Sequence, residues 1–383
     1  MRIVHIITRL IIGGAQENTL LSCEGQHKLG HDVTLIAGPA LGPEGSLLER
    51  ARDFGYRVIV IEEMGRAIRA FADFRTYRSL IGHLRQLKPD VVHTHSSKAG
   101  ILGRWAARRA NVPAVVHTIH GLAFTASTHD AVNWAYQTLE RQAAPMTTRI
   151  VCVADAMRDQ SLAGGIGTFS QYITIYSGME TEPFIHPPVS REETRRRLGL
   201  GENHLVIGTI ARLFDLKGHD DLIDIAPQLC DRFPQVRFLW VGDGTLRGRL
   251  ESRIQQLKLR DRFIITGMVS PQRVPELTGA MDMLVHPSRR EGLARALPQA
   301  ALAGKPAITY DIDGAREGVL HEQTGFVLPP FDKQKLLLAI ETLAANPPLR
   351  EKMGMAGREF ALRRFDAAVM VSALDRLYHQ IAK

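Results

Sequence analysis

The sequence predicts an α/β protein of two doubly wound parallel sheets in series, facing each other across a cleft. Three observations carry this. The chain has 383 residues, more than one hydrophobic core of roughly 250 residues usually organises. Apolar runs of strand length alternate with segments of helical period along nearly all of it. The alternation is interrupted once, by the turn- and proline-rich stretch 178–188, which reads as a linker.

In the first half, strands are expected near 2–8, 32–38, 57–61, 90–94, 114–119, 149–153 and 172–176, with helices at 15–29, 66–87, 98–110 and 130–144. Strands resume near 205–210, 236–241, 262–266, 282–286, 306–309 and 325–328. A last helical stretch, about 366–382, has no strand after it. The expected boundaries are therefore a first domain over 1–185, a second over 186–365 and a terminal helix over 366–383. Both sheets being parallel, ligand chemistry belongs at the carboxyl ends of their strands.

Composition bounds the function. Hydrophobic residues make up 45% and charged residues 23%, as in ordinary globular enzymes. Cys23, Cys152 and Cys230 are far apart and odd in number, so neither a disulfide framework nor a zinc spacing is indicated. That pattern suits a reducing, cytoplasmic setting. The apolar run after Met1 is interrupted at Arg9 and reads as a first strand, not a leader. No run approaches the roughly 20 apolar residues of a membrane span. The net charge is +8, and the segment from Arg66 to Arg109, with ten basic and two acidic residues, carries all of it. Within it Ile68, Phe71, Phe74, Ile81, Leu84 and Leu87 recur at helical spacing. Two readings stand: a basic amphipathic helix lying on an anionic membrane at the inner face of the cell, or the solvated face of a helix whose apolar stripe packs on the sheet. Nucleic acid is not an expected partner, because the segment lacks aromatic interleaving and a reading module.

The chemistry gathers at strand ends. Glu291 follows the apolar run 281–286 and precedes Ala-rich helical sequence. A carboxylate there can accept hydrogen bonds from sugar hydroxyls, and the N-terminus of the following helix can hold phosphate. A ligand carrying both is a nucleotide sugar. Gly13-Gly14 after the first strand allows backbone N–H groups to approach a phosphate, although it is not the dinucleotide fingerprint. Arg212 and Lys217, in the loop after the second domain's first strand, can neutralise a leaving diphosphate. Gly242-Asp243 closes the next strand in a turn that can cradle base or ribose, and Met268 can supply an apolar wall. His93, His95, His117 and His120 end two strands, but no carboxylate or cysteine joins them at ligand spacing. They read as substrate contacts, and no metal is expected. Asp311 and Asp313 resemble an acid pair for a divalent ion, yet the two basic residues already offer charge neutralisation.

Taken in order, these pieces resemble the retaining glycosyltransferases of family 4. The residues that carry the resemblance are Gly13-Gly14-Ala15, His93 to Ser96, Thr118 to Gly121, Ala211-Arg212 with Lys217 to His219, Val241 to Gly244, and Ser288 to Ala300. The wording at 93–100 and 117–124 is most similar to enzymes that build bacterial surface or capsular polysaccharide on a lipid carrier. The resemblance implies the GT-B fold of two Rossmann-like domains, and a nucleotide-diphosphate sugar, UDP-linked, as donor with no further cofactor. It implies a lipid-linked or glycan acceptor. Gly13, Gly14 and the backbone at Leu293, Ala294 and Arg295 would hold diphosphate with Arg212 and Lys217. Glu291 would bind the donor sugar, His120 would touch a hydroxyl of the reacting sugar, and His95 and Lys98 would meet the acceptor.

One position departs. The family pattern has a second glutamate eight residues after the first, on the ribose hydroxyls, where this chain has Gln299. A neutral bond contributes about 0.5–1.5 kcal/mol against roughly 1.5–3 for a charged one, so weaker nucleotide binding is expected. No carboxylate pair or protein nucleophile is evident, which leaves the departing phosphate to take the acceptor proton. The competing readings are a non-catalytic nucleotide-sugar-binding protein, which Gln299 alone favours, and a nucleotide-sugar 2-epimerase, which would need acids placed for elimination.

Overall fold

The computed structural model describes residues 1–40, 45–122, 124 and 129–382. Among them, thirteen strands form at the expected places, each within two residues of its expected bounds. They are β1 (Arg2–Ile7), β2 (Asp32–Ala37), β3 (Arg57–Val60), β4 (Val91–His95), β5 (Ala114–Ile119), β6 (Arg149–Cys152), β7 (Tyr172–Thr174), β8 (Leu205–Ile210), β9 (Val236–Val241), β10 (Phe263–Ile265), β11 (Met283–His286), β12 (Ala307–Tyr310) and β13 (Gly325–Leu328). The first seven make one sheet, ordered β3-β2-β1-β4-β5-β6-β7, and the rest a second, ordered β10-β9-β8-β11-β12-β13. Every pairing between these strands is parallel. The central strands are buried on both faces, which is why they read as continuous apolar runs.

The chain divides into two compact units, Met1–Met179 with Ala367–Lys383, and Glu180–Asp366. The crossing therefore lies at 179/180 and not at 185/186. The reason is Phe184, buried in the short helix Glu182–Ile185, which packs on the second unit's helices Val274–Ala280 and Ala296–Leu302. On the return, Asp366 breaks the helix Pro347–Phe365 with an extended backbone, and its carboxylate accepts the Thr181 hydroxyl at 2.9 Å. The helix Ala367–Ile381 then joins the first unit. Its Met370, Leu374, Leu377 and Tyr378 bury against Ile3, Leu21, Val91 and Val116.

The helix expected over 66–87 begins later, at Ala70. Arg69 is extended and its N–H donates to Asp73 Oδ2 at 3.1 Å, which closes the first turn there. The apolar stripe splits. Leu80 and Leu84 are buried, whereas Ile68, Phe71 and Phe74 are 76%, 77% and 56% exposed, so packing on the sheet accounts only for its second half.

In the second unit Asp282 binds Arg191 at 2.6 Å and Arg195 at 2.8 Å. Lys305 sits beside this group; burial first, then the charge of Arg191, lowers its ammonium from 10.5 to about 8. Between those values the unfolded chain binds more protons than the folded one, so stability rises as pH climbs through that window. Lys305→Met should accordingly raise stability near neutral pH by on the order of 1–2 kcal/mol and flatten the rise above it. Urea unfolding at neutral and alkaline pH checks this; an unchanged slope refutes it.

Candidate active site

In the second unit the strand order reverses between β8 and β11, and ligand crevices of doubly wound sheets open at that point. The loop after β8 carries Arg212 and Lys217. The one after β11 carries Ser288 and Glu291. Gly218 joins them: its φ is 71° and a Cβ there would lie 1.9 Å from the Pro287 carbonyl oxygen. Only glycine permits that approach. The loops are then tied by the Arg289 N–H, which donates to the Leu216 carbonyl at 2.8 Å.

Glu291 is the centre of this arrangement. Its Oε1 accepts from His286 Nε2 at 3.0 Å and from the Ser288 hydroxyl at 2.8 Å, and the Lys217 ammonium is paired with the same oxygen. Its backbone N–H donates to Asp313 Oδ2 at 2.7 Å. Burial alone would push the carboxyl up, but the His286 bond and the Lys217 charge outweigh it and hold it at about 2. Glu291 is thus an anion across the physiological range, an acceptor and not an acid. Among the described residues these donors gather on Oε1, which leaves Oε2 to accept from a ligand.

His286, Ser288 and Asp313 had no assigned part in the sequence reading. His286 was legible as the last residue of a strand, five residues before Glu291. Asp313 was legible only as half of an acid pair. Asp311 instead binds Arg316 at 2.8 and 2.6 Å while Asp313, at φ 44°, braces the Glu291 loop.

The other expected donor-site residues are placed as follows. Arg212 is exposed, its guanidinium 4.7 Å from the centre of the Phe214 ring. Gly242, at φ 146°, stands where a Cβ would meet the Ala211 carbonyl oxygen at 2.1 Å. The Asp243 carboxylate is engaged by its own turn, with Gly244 N–H at 2.8 Å and Arg247 at 2.9 Å. Met268 is 57% exposed. The helix that follows Glu291 starts at Ala296 with Arg295 as its cap, so buried Leu293 and Ala294 lie in the preceding turn. Gln299 is in the helix's first turn, half-buried.

In the first unit the order reverses between β1 and β4. Gly13 and Gly14 open the helix Gly14–Lys28, whose first turn has no side-chain cap. A helix start of this kind is where backbone N–H groups and the helix dipole favour an anion. His95 ends β4 and His120 follows β5; His95 Nδ1 and His120 Nε2 are 3.1 Å apart. Lys98 donates to the Ala67 carbonyl and pairs with Asp73, which holds it against the 66–87 segment. His5, His93 and His95 each bring a ring nitrogen within 4.8 Å of the others. The sequence reading had not included His5, because its partners are 88 and 90 residues away and meet it only through the β1–β4 pairing.

Comparison with known proteins agrees with this architecture. Residues 13–168 match the family described as glycosyl transferase 4-like domain, and residues 190–360 that described as glycosyl transferases group 1. A UDP-Gal:alpha-D-GlcNAc-diphosphoundecaprenol alpha-1,3-galactosyltransferase of Escherichia coli is 30% identical over 344 residues, 89% of this chain and 87% of that protein. The capsular polysaccharide biosynthesis glycosyltransferase CapM of Staphylococcus aureus is 24% identical, with 84% of each chain covered. Among solved structures, Anabaena Alr3699/HepE in complex with UDP superposes with a TM-score of 0.84 at 21% identity, over 99% of this chain and 100% of that one. With two doubly wound units and these relatives, the chain belongs to the retaining glycosyltransferases of family 4 and has their GT-B fold.

Proposed function

We propose that this transferase takes its sugar from a UDP-sugar and places it on a lipid-diphosphate-linked glycan in cell-surface polysaccharide synthesis. The observation that carries this is the ionised Glu291, held by Lys217, His286 and Ser288 at the switch point of the second sheet. The E. coli relative is named for a UDP-linked donor and a diphosphoundecaprenol acceptor, and HepE was solved with UDP. In this reading Glu291 Oε2 accepts the donor sugar's hydroxyls. The backbone at 293–295 faces phosphate. Arg212 and Lys217 stabilise the negative charge that grows on the departing diphosphate. An oxygen of that diphosphate takes the acceptor's proton as the new bond forms on the face the diphosphate leaves, which retains configuration. The relatives named above are transferases, which favours neither the epimerase nor the non-catalytic reading.

Calorimetry with UDP-, GDP- and ADP-sugars, each beside its free nucleotide, tests the donor. Preferred binding of one UDP-sugar, lost in Glu291→Ala, is expected; tighter binding of a GDP- or ADP-sugar overturns the assignment. Lys217→Ala should lower kcat by about 10²-fold with the circular dichroism unchanged. Unchanged turnover would remove Lys217 from the chemistry.

We also propose that the first unit rests on anionic membrane at the cytoplasmic face. Exposed Ile68, Phe71 and Phe74 stand among exposed Arg66, Arg69, Arg75 and Arg78, the combination that inserts apolar groups beneath anionic headgroups. No helix among the described residues is long and apolar enough to cross a membrane. Co-sedimentation with anionic vesicles, lost in Phe71→Ser/Phe74→Ser, is the expected result. Equal recovery with and without anionic lipid retires the idea.

A further inference from the structure

The first unit contains a cavity of about 240 Å³ beside β5, bordered by the helices Ser97–Arg109 and Asp130–Ala143. Its apolar side is made by Ile119, Phe124 and Ile166, all buried. Its polar side carries His117 from β5 and Glu140 from the helix Asp130–Ala143. The His117 ring has its place because the facing helix residue is Gly100, where a Cβ would lie 2.5 Å from His117 Cε1. Neither His117 nor Glu140 has a part in holding the donor.

Both groups bring an acceptor atom that the protein leaves unused. Glu140 Oε2 accepts from Arg104 at 2.6 Å, and no described residue meets Oε1. Thr94 Oγ1 has one proton, which it gives to the Val116 carbonyl at 3.3 Å, so His117 Nδ1, at 2.9 Å, is the donor of its pair with that hydroxyl. Burial, and after it the charge of Arg104, hold the imidazole well below its usual range. The ring is therefore neutral, and Nε2 is an acceptor that no described residue meets. Arg104 already balances the Glu140 charge, so the cavity suits an uncharged ligand that donates hydrogen bonds. A metal ion is poorly matched, because among the described residues only His5, His93 and His95 form a group of three ligands at metal spacing.

We propose that this cavity is a subsite for one pyranose ring of the acceptor glycan, with Glu140 Oε1 and His117 Nε2 accepting from its hydroxyls and Ile119 and Ile166 packing on its C–H face. The proposal rests on the reading that the acceptor is a glycan. A pyranose carries hydroxyl donors around its edge and apolar C–H groups on its faces, which matches two acceptors set opposite an aliphatic wall. The volume lies below the roughly 300–1,000 Å³ that drug-sized ligands occupy and gives room for a single ring. The two acceptors are buried, so a ring that cannot donate to them leaves them unpaired at a cost, and this is how such a pocket discriminates between sugars.

The test is the histidine ring spectrum of the ¹⁵N-labelled full-length protein, titrated with the methyl pyranosides of glucose, galactose and N-acetylglucosamine. The His117 signals are assigned through His117→Gln. One glycoside should move the unprotonated His117 Nε2 signal toward its hydrogen-bonded position, saturating in the millimolar range, while Nδ1 stays protonated. Ile166→Phe, which puts a phenyl ring into the space, should abolish the response with the circular dichroism unchanged. Glu140→Gln, which replaces a charged acceptor by a neutral one, should weaken binding about tenfold. A His117 signal that no glycoside moves overturns the proposal without any variant needing to fold. So does a response that survives intact in Ile166→Phe. The underlying reading fails separately: transfer to an acceptor without sugar removes the glycan, whatever His117 shows, whereas a silent His117 in a protein that glycosylates a glycan strikes the subsite alone.

Discussion

Glu291→Ala is expected to lower sugar transfer by about 10²- to 10³-fold while the second unit stays folded. The carboxylate is the one group on which Lys217, His286 and Ser288 converge, all through Oε1. Removing it frees the Lys217 ammonium from its partner and strands the buried His286 ring, whose Nδ1 already has no hydrogen-bond partner. The acceptor for the sugar hydroxyls goes with it. Glu291→Gln separates charge from shape, since the amide keeps an acceptor oxygen but not the ion pair, and should fall between the two. Because the carboxyl is held at about 2, its own titration should leave no acidic limb in the rate profile above roughly pH 4. Initial rates at saturating donor, beside circular dichroism, check the prediction. A loss of less than threefold in Glu291→Ala would remove the residue from the reaction.

Glu140→Ala should destabilise the first unit by about 3–5 kcal/mol, the largest stability effect expected in this chain. Arg104 is fully buried; its Nε donates to the Gly100 carbonyl at 2.8 Å and its Nη2 to Glu140 Oε2 at 2.6 Å. The pair joins the helices Ser97–Arg109 and Asp130–Ala143 beneath a cavity of about 240 Å³ lined by Glu140, His117 and His120. Truncating Glu140 leaves a buried guanidinium without its counter-charge, and Nη1 is without a partner from the start. Replacing both residues, as in Arg104→Met/Glu140→Leu, removes charge and counter-charge together and should recover most of the loss. Urea midpoints for Arg104→Met, Glu140→Leu and the double variant form the cycle that decides it. A double variant no more stable than Glu140→Ala would mean that shape, not charge, governs the site.

Much of the fold was legible because its signals are local. Parallel strands buried on both faces are written as apolar runs, and the helices between them carry their own period, so thirteen strands stood within two residues of their expected bounds. Glu291, Arg212 and Lys217 were legible for a related reason, since a charged or polar residue just after an apolar run must sit at a strand's end. What was misjudged depended on distant partners. The boundary at 179/180 follows from where Phe184 is buried, and the 66–87 segment divides because only its second half has a sheet to cover.

By itself, then, the sequence determined the alternation of strand and helix, the strand ends and the chemical character of the residues standing there. Only the tertiary structure decided which of those residues meet. Lys217 reaches Glu291 across 74 residues, and His5 reaches His95 across 90. Both encounters depend on strand order and register, which arise from loop closure and long-range packing and leave no periodic trace in the chain.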